Sequence, residues 1–231
     1  MMNPHQVTRD FEHALCEYTG APFAVAVNSC TMALLLAVAW HFAGIQRKVD
    51  KEDQEEGRGI RRQVILPPIE IPKRTYVSVP MSIIHAGGQP TFRDENWEGW
   101  YRLAPLLVWD SARYFSSDMY RTITSFDPGT FTTGGMVCVS FHASKTLGIE
   151  QGGAILHDNA EADAWLRRAR FDGRTEGVAP KDDPFPQIGW HCYMNPSTAA
   201  QGILKLHSLP RHNEPLPNDD YPDLSKLEIF K

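Results

Sequence analysis

The sequence predicts an α/β protein of three layers, with helices on both faces of a mostly parallel sheet. Three observations carry that expectation. Short runs such as "FAVAV" (23–27), "LLVWD" (106–110) and "MVCVS" (136–140) are strand-length and apolar, as strands buried on both faces are. They alternate with segments whose apolar residues recur near every 3.6 positions. The chain has 231 residues, 42% of them hydrophobic, which is enough for one continuous core.

The elements follow in order. "VTRDFEHALCEYTG" (7–20) has helical spacing and a glycine stop at Gly20. "FAVAVNS" (23–29) reads as a buried strand and "CTMALLLAVAWHF" (30–42) as the helix after it. "QRKVDKEDQEEGRG" (46–59) is dense in charge of both signs and is expected to be an exposed connection. "QVILPPI" (63–69) is the next strand, "TYVSVPMSIIHAGG" (75–88) a helical crossover and "QPTFRD" (89–94) a strand. "LLVWDSA" (106–112), "MVCVSFH" (136–142) and "GGAILHD" (152–158) are further strands. "NAEADAWLRRARFDG" (159–173) opens on an Asn cap with acids in its first turn, closes on arginines and stops at Gly173, in the order a helix dipole favours. Residues 1–209 form the expected domain. From Pro210 the chain is proline-rich and polar, and a loosely packed, extended arm is expected over 210–231.

Composition excludes several roles. A net charge of -5 gives no general attraction to nucleic acid or membrane. The arginines cluster at Arg58, Arg61 and Arg62 and at Arg167, Arg168, Arg170 and Arg174, and each cluster reads as a solvated face. Cys16, Cys30, Cys138 and Cys192 are widely spaced, so neither a zinc site nor a disulfide framework is expected, and a reducing cytoplasm is the simplest location. The N-terminus lacks the pattern of a secretory signal, and "MALLLAVAWHFAG" (32–44) is too short to span a bilayer.

The chemistry-bearing residues lie at strand ends, where α/β sites gather: Asn28, Asp110 and Ser140. In "SFHASKTLGIEQGGAIL" (140–156), Lys145 stands among small, apolar and glycine residues. Desolvation there lowers an amine's pKa and raises its nucleophilicity, as Schiff-base chemistry requires. A snorkelling or capping lysine is the plainer alternative. Asp110 ends an apolar run, where a carboxylate needs a cation: either Lys145 in a structural ion pair, or a protonated pyridine nitrogen. In "AVNSCTMALLL" (26–36) a strand runs into a helix through hydroxyl residues, which suits a bound phosphate or an ordinary cap. Together the three describe a pyridoxal phosphate site.

The chain resembles the DegT/DnrJ/EryC1/StrS aminotransferases, the sugar-aminotransferase branch of the fold-type I pyridoxal phosphate enzymes. The resemblance runs from about Phe11 to Leu209 through "FEHALCEYTGAPFAVAVNSCTMALLLA", "TYVSVPMSIIHAGGQPTFRDEN", "VWDSA", the lysine segment, "RRARFDGR" and "GWHCYMNPSTAAQGILKLHSL". It implies that Lys145 binds the cofactor covalently and shuttles a proton, and that Asp110 holds the ring nitrogen. It also implies that Tyr76 stacks on the ring, with core packing the alternative. Cys30, Thr31 and Ser140 become phosphate donors. Arg113 stands where the family usually has glutamine or histidine, near the ring hydroxyl; it could serve there, meet a substrate carboxylate or be a surface arginine. His191, Tyr193 and Asn195 are the candidates for a phosphate contact across a homodimer interface. The family's C-terminal domain is expected to be missing, leaving an open cleft.

The implied activity is transfer of an amino group between an amino donor and a carbonyl substrate of the keto-sugar-nucleotide class. Decarboxylation or other α-carbon chemistry on an amino acid attached to a bulky group, such as a modified nucleic-acid base, is the alternative. A non-catalytic scaffold is the third reading.

Overall fold

The computed structural model describes residues 5–57, 64–125 and 134–231. Its regular elements are α1 (Gln6–Thr19), β1 (Phe23–Val27), α2 (Cys30–Glu55), β2 (Ile69–Pro72), α3 (Ser78–His85), β3 (Pro90–Arg93), β4 (Tyr101–Arg102), β5 (Val108–Ser111), α4 (Met119–Thr124), β6 (Met136–Ser140), β7 (Gly153–His157), α5 (Ala160–Ala169) and α6 (Pro196–Ser208). The expected three layers are present. Successive strand residues face opposite ways: Val25, Val27, Cys138 and Ile155 meet α2, α3 and α5, while Ala24, Ala26, Val137, Val139 and Leu156 meet α1, α4 and α6.

The expectation of a mostly parallel sheet is corrected. The main sheet runs β1-β7-β6-β5-β4, and only its β5–β6 ladder is parallel; β1–β7, β6–β7 and β4–β5 are antiparallel. β2 and β3 form a separate parallel pair, tied to the main sheet, among the described residues, by an antiparallel bridge from Glu70 to Ala104. The cause is the link between β6 and β7. A parallel return needs a crossover of a dozen or more residues, usually helical, whereas residues 141–152 contain no helix and the chain turns straight back. β1, β5 and β6 still share one direction, so their carboxyl ends form the expected rim, and the reversal brings the amino end of β7 there too. Gly153 is in register with both Val27 and Ser140.

Other expectations shift. The charged stretch from Gln46 is helical as far as Glu55, because it is rich in good helix formers and carries i,i+4 pairs, Gln46–Asp50 at 2.7 Å and Lys51–Glu55 at 3.8 Å. Arg58, Arg61 and Arg62 lie outside the described residues. The strand expected at 63–69 starts at Ile69, after Pro67 and Pro68, which have no N–H to donate. α5 ends at Ala169, and Gly173, at φ +78°, closes the turn by donating to the Arg168 carbonyl at 2.9 Å.

The basic cluster on α5 is not a solvated face. Arg170 is 1% exposed and bonds Glu12, Glu176 and the Ala26 carbonyl; Arg167 bonds Glu12 and Asp163, both at 2.7 Å. These arginines tie α5 to α1 and β1.

The arm from Pro210 is largely exposed but not loosely packed. Tyr18 donates to the Pro210 carbonyl, Leu216 to that of Arg113 at 2.7 Å and Leu224 to that of Lys73 at 2.9 Å. Leu224 is fully buried, and Phe230 packs on Phe92 with ring centroids 5.9 Å apart. Backbone amides, buried Leu224 and side-chain contacts from Tyr18 and Phe230 hold a segment whose composition reads as loose.

Candidate active site

Where the rim of β1, β5 and β6 meets the start of α2, the structure has a cavity of about 410 Å³. Its walls include Cys30, Thr31, Tyr76, Asp110, Arg113, Ser140 and Lys145, so these residues expected from sequence face one space. Asn28 does not line it; its amide bonds the Cys192 carbonyl at 2.8 Å.

Asp110 sits on β5, 5% exposed. One carboxylate oxygen accepts from the Tyr101 hydroxyl at 2.7 Å and the other from the Ala112 amide at 2.9 Å. Tyr101 spends its proton on Asp110, so Thr75, 2.6 Å away, donates to Tyr101. Burial raises the Asp110 pKa, against the opposing hydrogen bonds from Tyr101 and Ala112 and the charge of Lys145. The structural ion pair between Asp110 and Lys145 is absent: among the described residues neither forms a salt bridge, and the lysine amine has no hydrogen-bond partner.

Lys145 is held by its backbone, its amide donating to the His142 carbonyl at 2.8 Å. Gly148, at φ +55°, lets the chain curl back over it; a Cβ there would come 3.0 Å from the Lys145 carbonyl. Half-buried, the amine has its pKa lowered by desolvation and by Arg113, against the pull of Asp110 and Asp219.

The start of α2 forms another wall. Ser29 caps it, its hydroxyl accepting from the Met32 amide at 3.2 Å. Thr31 donates to the Ser78 hydroxyl at 2.9 Å, and Ser82 donates to the Thr31 carbonyl at 3.0 Å, fixing α3 beside α2. Gly153 sets how near the helix comes to the sheet: a Cβ there would fall 2.6 Å from the Cys30 nitrogen and 2.8 Å from the Val139 oxygen. Only hydrogen fits.

Two alternatives for single residues fail. Tyr76 is 59% exposed at the cavity, not part of the core. Arg113 is 7% exposed, not a surface arginine; it bonds both oxygens of Asp219, at 3.0 and 3.1 Å, and the Pro217 carbonyl. His191, Tyr193 and Asn195 lie away from this chain's cavity: His191 pairs with Asp172 at 2.8 Å, Tyr193 packs on Phe171 and Asn195 caps α6.

Sequence reasoning missed Tyr101, Thr75, Ser78, Asp219 and Tyr221. Tyr101 was legible in part, since "YRLAPLLVWD" is the spacing of a hairpin that sets Tyr101 opposite Asp110. Asp219 and Tyr221 gave no signal in a polar tail.

The family model described as the DegT/DnrJ/EryC1/StrS aminotransferase family matches residues 2–102 and 127–215. The chain belongs to this family. One relative, the spore coat polysaccharide biosynthesis protein SpsC of Bacillus subtilis (strain 168), is 35% identical over 86 residues, 37% of this chain and 17% of SpsC. Among solved structures, the sugar aminotransferase CalS13 from Micromonospora echinospora is 17% identical with a TM-score of 0.62, over 87% of this chain and 60% of CalS13. The GDP-4-keto-6-deoxymannose-3-dehydratase ColD, a point mutant solved with bound GDP-perosamine, is 18% identical with a TM-score of 0.61, over 89% of this chain and 61% of ColD. At these identities the structures speak to the fold, which is that of the family. The chain spans about three-fifths of the length of each. Among the described residues no helix is long and apolar enough to cross a membrane, and no group of three or more His, Cys, Asp or Glu could hold a metal ion.

Proposed function

We propose that the cavity binds pyridoxal 5'-phosphate and that the chain transfers an amino group between an amino donor and a carbonyl substrate, of the keto-sugar-nucleotide class. One observation carries the reading: a buried carboxylate without a cation, Asp110, and an amine without a partner, Lys145, face the same space beside a helix start. The buried carboxylate is costly alone, and the half-buried amine is left available to react. A ligand with a cationic ring nitrogen, an aldehyde and a phosphate offsets all three features, so the residues fit the cofactor. The substrate class is supported by CalS13, named a sugar aminotransferase, and by ColD, solved with GDP-perosamine.

When bound, the cofactor supplies an aldehyde carbon for amines and a ring that withdraws electrons from the substrate carbon. Asp110 would accept from the proton-bearing ring nitrogen, and the Tyr101 hydrogen bond favours the ionised carboxylate against the burial that raises its pKa. Lys145, its pKa lowered, has more of its neutral form available as the nucleophile, and its Nζ then carries the proton to and from the substrate carbon. The backbone at Cys30 and Thr31, with the Thr31 and Ser140 hydroxyls, would hold the phosphate; all three line the cavity. Tyr76, exposed at the cavity, covers the ring. Cytoplasmic location is part of the reading; the four cysteines are free thiols, as suits a reducing compartment. So is a homodimer, in which His191, Tyr193 or Asn195 reaches the other subunit's phosphate; monomeric sedimentation of the yellow protein would refute that part.

The decisive test is absorbance. Purified protein with added pyridoxal phosphate should be yellow, and the band should vanish on borohydride reduction and in Lys145→Ala. A colourless wild type defeats the reading. With an amino donor, conversion of the cofactor to its amine form supports transfer, whereas release of carbon dioxide would support decarboxylation. For a nucleic-acid-linked substrate, the α5 arginines give no support, because Arg167 and Arg170 are held by Glu12, Asp163 and Glu176.

A further inference from the structure

We infer that Arg113 is the receptor for a carboxylate on the substrate, and that Asp219 of the C-terminal arm occupies that receptor as a stand-in which the substrate displaces. This rests on the proposed function, because it assigns a substrate feature to the same cavity. Arg113 lies two residues past the end of β5, on the wall that carries Asp110. Its guanidinium grips Asp219 through two nearly equal contacts, 3.0 and 3.1 Å, the fork geometry that matches a carboxylate.

The two partners differ in setting. The Arg113 side chain is 8% exposed and that of Asp219 is 65% exposed. A buried guanidinium needs an anion at all times, while a solvent-facing aspartate that turns to water gives up, besides the arginine, only a hydrogen bond from the Tyr221 hydroxyl at 3.2 Å. Exchange of one carboxylate for another is therefore easy at this site, and vacancy is not.

The arm is built to permit the exchange. It is pinned on both sides of Asp219, by the Leu216 amide on Arg113 and by Leu224, fully buried, whose amide bonds Lys73. Between the pins, Asn218 donates to the Trp97 carbonyl at 2.6 Å and the Tyr221 ring lies over Trp97 at 6.3 Å and 16°. Asp219 can swing out while the arm stays docked. A tethered carboxylate competes as a ligand of roughly millimolar effective concentration. It sets a threshold, so that substrates carrying a carboxylate are admitted to Arg113 and weaker anions are not.

Calorimetric titration of the protein with succinate, a dicarboxylate with no amine to react, tests this in apo and cofactor-loaded forms. Asp219→Asn should bind succinate about tenfold more tightly than wild type, because the internal competitor is gone. Asp219→Asn combined with Arg113→Gln should lose that binding, and combined with Arg113→Lys, which keeps the charge but not the fork, should recover only part of it. Melting temperatures establish that each variant is folded. Equal succinate affinity in wild type and Asp219→Asn overturns the inference, as does binding that survives Arg113→Gln or sulfate binding as tight as succinate. Titration of the apo protein reads Arg113 without the cofactor, so a failure here is distinct from a colourless wild type.

Discussion

Gly153→Ala tests the link between the sheet and the helix start that we assign to the phosphate. The added Cβ would lie 2.6 Å from the Cys30 nitrogen, 2.7 Å from the Ser29 carbonyl carbon and 2.8 Å from the Val139 oxygen, whereas ordinary contact begins at 3.4 Å. All three atoms are backbone, and they press from both sides, so no rotamer change relieves the clash. Either the first turn of α2 retreats by about 0.8 Å or β7 shifts in its ladder. Overpacking of this kind costs about 1–3 kcal/mol, which for a chain of this length lowers Tm by about 2–4 °C per kcal/mol. The same retreat lengthens hydrogen bonds from the helix start to a bound phosphate. Losing one charge-assisted bond costs about 1.5–3 kcal/mol, so cofactor affinity should fall at least about tenfold. Thermal unfolding of the apo protein and absorbance titration with pyridoxal phosphate measure the two effects separately. A variant that melts with the wild type would refute the close-approach reasoning. One that melts early but binds cofactor unchanged would remove α2 from the phosphate site.

Tyr101→Phe keeps the ring and removes the hydrogen bond to Asp110, so the carboxylate protonates more easily; cofactor affinity should fall several-fold and its loss on acidification should begin at higher pH, both read by absorbance. Trapping of pyridoxal on Lys145 by borohydride should rise with pH through a midpoint below the ordinary lysine value of 10.5; Asp219→Asn should move it lower still, because that carboxylate favours the ammonium. Glu12→Gln leaves buried Arg170 with Glu176 as its remaining anion and, by weakening a charge-assisted hydrogen bond, should cost about 1.5–3 kcal/mol in denaturant unfolding. Although burial raises the Glu176 pKa, Arg170 holds it below the ordinary 4.5, so its contribution is complete above that pH and lost as pH falls through the folded value; Glu176→Gln should flatten this acid slope.

Much of the site was legible because short-range chemistry encodes it. Lys145 among small residues, Asp110 closing an apolar run and hydroxyls at the start of α2 each mark a local environment, and each lines the cavity. Arg113 was flagged by its position after Asp110, but whether it was surface or site depended on the arm that covers it. Tyr101 belongs to a strand of two residues, too short for any periodicity to declare. The α5 arginines read as a solvated face because their partners, Glu12 and Glu176, lie 158 and 6 residues away from Arg170, and sequence spacing carries no sign of the more distant pairing.

By itself the sequence determined the layers, most of the elements along the chain and the placement of Asp110 and Ser140 on one rim, because apolar periodicity and capping act within a few residues. Only the tertiary structure decided that β7 runs against its neighbours, that α5 is tied to α1 through buried charge, and that the arm lays Asp219 on Arg113. Those outcomes depend on which distant surfaces meet, and the free energy of such meetings comes from desolvation and close approach between groups that local pattern does not relate.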